Sequence, residues 1–172
     1  MATPVHSPNY SVLSAWAAEA ISPLIRNKPP LIIVGGMASG KSTLCKALSD
    51  LLKNDPAYVW NKVNRPDMLS HSWRLKPVIV DSVQPLNPED QEFLFGLGVS
   101  GSNLLTGKFV SDIESKHVVS NPVPVVLTGL SDYFNTEGHR NYLIHLPYIP
   151  RAVRSKTAIE NIKEELRHIF EV

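Results

Sequence analysis

Cys45 is the only cysteine among 172 residues, so no internal disulfide can form. That scarcity fits a reducing, cytoplasmic setting, and Cys45 itself is expected as a small residue facing the core. No run of about twenty apolar residues occurs, which excludes a membrane-spanning helix. The opening Met-Ala-Thr-Pro-Val-His-Ser-Pro lacks the basic and apolar regions of a signal peptide. It reads as a short, loosely held tail over residues 1–8. An excess of charge of either sign is also missing: the net charge is +1, so any nucleic-acid contact must come from a local patch. The histidines (His6, His71, His117, His139, His145, His168) have no metal-ligand spacing and read as structural or surface residues.

What remains is the composition of one soluble globular domain over residues 9–172, with 43% hydrophobic and 19% charged residues. Fourteen prolines punctuate it. Val12, Leu13, Trp16, Ala17, Ala20, Ile21, Leu24 and Ile25 recur at helical spacing and predict a helix over 10–26, kinked or shortened at Pro23. Strands are expected at 31–34, 57–60, 77–81, 124–128 and 142–146, and helices at 41–53, 88–97 and 155–170. The stretch 65–73 is ambiguous, a short helix starting at Pro66 being one reading. Residues 98–101 read as a loop and 108–120 as a β-hairpin with its tip near 112–115. Strands and helices alternating in this way predict an α/β sandwich on a five-stranded, mostly parallel sheet.

The clearest motif is Gly35-Gly36-Met37-Ala38-Ser39-Gly40-Lys41-Ser42-Thr43. It follows an apolar β-branched strand and opens a helix, which is the context that a phosphate-binding loop requires. The glycines let successive N–H groups point inward at phosphate oxygens, and the helix N-terminus adds partial positive charge. ATP with magnesium is the expected ligand. Lys41 is expected on the β- and γ-phosphates and the Ser42 hydroxyl on the metal. A partial echo from Gly101 to Lys108 has the wrong spacing, follows no buried strand and reads as coincidence.

Asp81 ends an apolar strand and suits the second magnesium-holding position. The next residue is Ser82, where many ATPases carry an acid that polarises the attacking water. Weak or partner-dependent hydrolysis is one consequence. Glu89, Asp90 and Glu92 cannot be placed in the site from sequence. Thr128, at the end of the fourth strand, is a candidate contact to the γ-phosphate or the water. Arg140, just before the fifth strand, is a candidate for reaching a neighbouring subunit's γ-phosphate. Arg151 and Arg154 are held in reserve.

Taken with the run from Leu105 to Asp112, the strand ending Thr128-Gly129, and the segment from His139 to Pro147, this order resembles the ATPase core of bacterial and phage proteins related to superfamily 3 helicases and poxvirus-type primase-helicases, of the AAA+ class. The resemblance covers residues 31–150. It implies a sheet with the Thr128 strand between the strands leading to Lys41 and Asp81. It further implies a ring-shaped homo-oligomer with ATP sites between subunits, DNA through the ring, and work with replication proteins of a phage or mobile element. Asp81, Thr128 and Arg140 fall on the family's Walker B, sensor and arginine positions, although Ser82 and Thr128 replace its usual acid or asparagine and its usual asparagine. The hairpin would touch DNA through Lys108, Lys116 and His117.

Two other functions fit the loop. A shikimate- or nucleotide-kinase-like enzyme would use Arg65 and Asp67 on its acceptor, yet residues 97–118 offer no arginine for a lid. An ATP-dependent assembly switch would bind nucleotide and hydrolyse it poorly, in keeping with Ser82.

Overall fold

The computed structural model describes residues 10–36, 39–108, 114–138, 140–146, 163, 164, 166–168 and 170; for Tyr10, Pro56, 105–108 and 114–117 it describes the backbone alone. The tail over 1–8, the hairpin tip, Arg151, Arg154 and most of the expected last helix lie outside the described residues.

Five strands form one parallel sheet: β1 (Leu31–Gly35), β2 (Val59–Trp60), β3 (Val78–Asp81), β6 (Val125–Gly129) and β7 (Tyr142–Leu146), in the order β2-β3-β6-β1-β7. A separate antiparallel hairpin joins β4 (Asn103–Lys108) and β5 (Glu114–Val118). Side chains alternate across a strand, and here that alternation divides the core in two. Leu31 and Ile33 point to one face, with α1 (Tyr10–Ala20) and α2 (Lys41–Leu51); Ile32 and Val34 point to the other, with α3 (Arg65–Trp73) and α4 (Pro88–Gly96). The strands are apolar on both faces because helices cover both, as parallel sheets require. The result is the three-layer α/β sandwich expected from the sequence, with a sheet that is wholly parallel.

Local chemistry sets the helix ends. Asn64 and Asn87 cap α3 and α4, accepting from the N–H groups of Asp67 (3.2 Å) and Asp90 (2.7 Å), with proline in the first turn of each. The expected helix over 10–26 stops at Ala20. It is shortened ahead of Pro23, as expected, and the buried Lys28 ammonium donates to the carbonyls of Glu19 (3.1 Å), Ala20 (2.9 Å) and Ser22 (2.7 Å), satisfying groups left open where a helix ends.

Other boundaries also move. The expected second strand shrinks to two residues because Pro56–Tyr58 forms a 3-10 turn capped by Asp55. The hairpin begins at Asn103 rather than at 108, since Leu104 is buried in the second core and draws the chain into the strand early. Lys108 therefore ends its first arm. Cys45 is fully buried in the first core, as expected. In the last stretch Lys163, Glu164, residues 166–168 and Phe170 are helical, with Leu166 buried in the first core.

Candidate functional site

In a parallel sheet the loops after the strands' C-terminal ends gather on one edge, where open α/β sheets place their ligand crevice. β1, β3 and β6 are neighbours in the order β3-β6-β1, so the loop after Gly35, the carboxylate of Asp81 and the hydroxyl of Thr128 meet there. This is the strand order that the family resemblance implied.

Gly40 has φ 92°, in the left-handed region that favours glycine, and the chain turns there into α2. A side chain at Gly35 would collide with the Ser39 hydroxyl, so the first turn of the loop also needs glycine. Met37 and Ala38 lie outside the described residues. Lys41 leans back over the loop, donating to the carbonyls of Gly35 (2.9 Å) and Gly36 (2.6 Å) and reaching the Ser39 hydroxyl at 3.4 Å. Burial holds its ammonium below the usual lysine range, against the opposing pull of Asp81. The ammonium is thus held by neutral acceptors of its own loop.

Asp81 is the hub of the site. Ser42 Oγ donates to Asp81 Oδ2 at 2.7 Å, and Thr128 Oγ1 donates to Asp81 Oδ1 at 2.5 Å. The β3–β6 register puts Asp81 beside Thr128, and Ser82 N–H donates to the Thr128 carbonyl at 2.9 Å, extending the pairing one residue past the strand. Thr128 is wholly buried, so its hydroxyl serves to orient the carboxylate. Ser82 is buried too, and its hydroxyl has no hydrogen-bond partner among the described residues. Ser42 Oγ and Asp81 Oδ2 are two neighbouring oxygens of the kind a hard cation could share. Among the described residues no group of three or more His, Cys, Asp or Glu side chains is placed to hold a metal unaided, so a cation here needs oxygens from a ligand or water.

Arg140 lies elsewhere. β7 runs parallel to β1 with Tyr142 beside Leu31 and Leu146 beside Gly35, which puts Arg140 beyond the end of the sheet opposite the loop. Five strand residues separate the two ends by about 16 Å. Arg140 is exposed, ion-paired to Glu19 at 2.6 Å, and sits over the Tyr142 ring at 5.9 Å. Its charge cannot act on the loop of its own chain. The kinase candidates are also engaged: Arg65 pairs with Asp90 (2.8 Å) and Glu89 (3.6 Å), and Asp67 accepts from the Asn64 side chain (3.0 Å). Both acids of the α4 start are therefore turned to Arg65. Lys108, Lys116 and His117 occupy the two facing arms of the hairpin.

Sequence reasoning missed Glu19, Lys28 and the Thr128–Asp81 bond. Glu19 and Lys28 carried no motif, and the third depends on strand order, which only the fold resemblance hinted at.

No family model and no curated protein matches the chain. Among solved structures it is similar to an A-form apo structure of the NrS-1 C-terminal region, with a TM-score of 0.63 and 11% identity over 96% of this chain and 42% of that one. A second apo structure of that region, spanning its residues 305–718, gives a TM-score of 0.56 at 11% identity, over 95% of this chain and 41% of that one. The chain thus spans about two-fifths of the length of the structures it matches, and at this identity the likeness establishes a shared α/β fold.

Proposed function

We propose that this chain binds ATP with magnesium at the loop over 35–42 and hydrolyses it as an oligomer, in the replication of phage or mobile-element DNA. One observation carries the reading: the Ser42 hydroxyl that follows the loop lysine lies 2.7 Å from the Asp81 carboxylate at the end of another strand. That pair has the composition and spacing to receive a magnesium ion whose remaining ligands are phosphate oxygens and water. The loop amides and Lys41 bind the phosphates, Lys41 exchanging its carbonyl partners for them. Thr128 acts through Asp81 as a positioning residue. Arg140 supplies charge to a neighbour's site, in keeping with its place at the far end of the sheet. The strand order, the similarity to the NrS-1 region and the engagement of Arg65 and Asp67 favour this reading over a small-molecule kinase. DNA contact through Lys108, Lys116 and His117 and association with replication proteins belong to the same proposal.

The neutral, buried Ser82 beside Asp81 favours a slow variant of this function, an assembly switch whose turnover waits on a partner. Phosphate release from ATP, measured over a range of protein concentrations with and without single-stranded DNA and with Lys41→Ala as blank, tests both. A rate per protomer that rises with concentration and DNA supports the oligomeric ATPase. A rate at the blank with ATP still bound supports the switch. ADP formation that needs an added phosphate acceptor and yields no free phosphate overturns both in favour of a kinase.

A further inference from the structure

At the edge opposite the loop, α2 and α3 both end in left-handed residues, Lys53 (φ 58°) and Leu75 (φ 59°). Non-glycine residues seldom adopt this conformation. The two turns bring the chain ends together, and Lys76 Nζ reaches the Lys53 carbonyl at 3.4 Å. Between them opens a cavity of about 490 Å³ lined by Lys53, Asn54, Asp55, Tyr58, Arg74 and Lys76, with His71 at its base. That volume is in the range of small-ligand sites.

The floor is built with care for polar groups. Buried Asn54 donates to Ser49 Oγ (3.1 Å) and the Tyr58 carbonyl (3.2 Å), and its side-chain oxygen meets His71 Nε2 at 2.9 Å. Tyr58 stacks on His71, ring centroids 4.6 Å apart at 29°, and Trp60 meets the same imidazole edge-on at 5.2 Å. One side of Tyr58 is thus backed by a buried ring, while 39% of the residue stays exposed. Burial, helped by the charges of Arg74 and Lys76 and opposed by a backbone hydrogen bond to Pro77 and the charge of Asp55, keeps His71 below the usual histidine range and hence uncharged at neutral pH. The cavity sets three cations against one carboxylate, and Asp55 already accepts from the Ala57 N–H at 2.9 Å. Among the described residues none of the three cations is ion-paired.

We propose that this cavity is a nucleotide-unit site separate from the phosphate loop, taking a strand of single-stranded nucleic acid with one base stacked on Tyr58 and its flanking phosphates among Lys53, Arg74 and Lys76. A rigidly backed aromatic ring beside unpaired cations is the combination that holds single strands without sequence readout. α2 places the site about 16 Å from the loop, the length of its eleven residues, so the two ligands do not compete. The inference is independent of ATP hydrolysis.

The test is fluorescence anisotropy of a labelled oligothymidylate with the full chain, at several salt concentrations. Tyr58→Leu keeps apolar volume and removes the stack; it should weaken binding by about 5- to 100-fold, while Tyr58→Phe binds like the parent. The Arg74→Ala/Lys76→Ala pair should flatten the log–log salt dependence by about 1.4, which is about 0.7 for each phosphate no longer neutralised. Thymidine monophosphate that competes as well as the oligonucleotide, per molecule, would assign the cavity to free nucleotides instead of a strand. No binding by the parent, unchanged binding by Tyr58→Leu with a parental melting curve, or an equal loss from the exposed Lys46→Ala would overturn the proposal. Should Tyr58→Leu melt early, the charge pair, which alters exposed residues alone, decides by the same criteria.

Discussion

Glu19 and Arg140, separated by 121 positions in the chain, meet at 2.6 Å, and the Tyr142 hydroxyl donates to the other oxygen of the same carboxylate at 2.6 Å. Burial pushes Glu19 up, but the hydrogen bonds from Tyr142 and Arg140 and the charge of Arg140 outweigh it and hold the carboxyl below its usual range. An arginine destined for a neighbour's phosphates must first leave this carboxylate. Glu19→Gln should therefore raise phosphate release per protomer at low protein concentration without changing ATP affinity. Arg140→Ala should leave affinity intact and cut turnover by on the order of a thousandfold if it stabilises the transferring phosphoryl group. Mixing Arg140→Ala with Asp81→Ala subunits should restore part of the rate, and mixtures that stay inactive would place Arg140 outside any shared site.

Lys28 closes α1 with three carbonyl bonds from a buried ammonium. Lys28→Met keeps the aliphatic stem and leaves those carbonyls unsatisfied. It should cost about 2–4 kcal/mol in urea unfolding, because hydrogen bonds to a charged group count for more than neutral ones and orphaned buried acceptors add a penalty.

Cys45 is fully buried, and burial, with Asp81 adding and Lys46 opposing, pushes its thiol far above the usual range. Thiolate is the reactive form. Iodoacetamide should leave the folded protein unmodified at pH 8 and label it fully in denaturant, so labelling rate reports global unfolding. Rapid labelling without denaturant would contradict the packing of α2.

His71 binds its proton less readily in the folded protein than in the unfolded chain. Between its folded value and about 6.5 the unfolded chain therefore holds more protons, and stability declines as the pH falls through that window. His71→Gln retains a group able to meet Asn54 and should flatten the decline. Chemical denaturation at pH 7.5 and 5.5 on both proteins measures the difference.

Much of this was legible in the sequence. The run from Leu31 to Val34 is short and apolar throughout, which in a chain of alternating elements leaves a strand covered on both faces, and the glycine and lysine spacing of the loop after it is what the proposed phosphate site rests on. Asp81 stood out because it ends an apolar strand, and the structure brings it beside Ser42 and Thr128. What stayed hidden depends on contacts between distant segments. Nothing near Glu19 marks it as the partner of Arg140, and, although Pro23 signalled a shortened helix, nothing local reveals that Lys28 would satisfy the carbonyls at its end. Tyr58 and His71 read separately as a strand residue and a structural or surface residue; only the fold, with its turn at Pro56–Tyr58, stacks one on the other.

The proposed function stands on the Lys41 loop and Asp81 forming one magnesium-nucleotide site. Calorimetric titration of the protein with a non-hydrolysable ATP analogue, with and without magnesium, tests it most directly. Binding should be saturable at one site and strengthened by magnesium, lost in Lys41→Ala, and retained in Asp81→Ala with the magnesium dependence gone. Parental binding by Lys41→Ala, or an Asp81→Ala protein that still responds fully to magnesium, would contradict it.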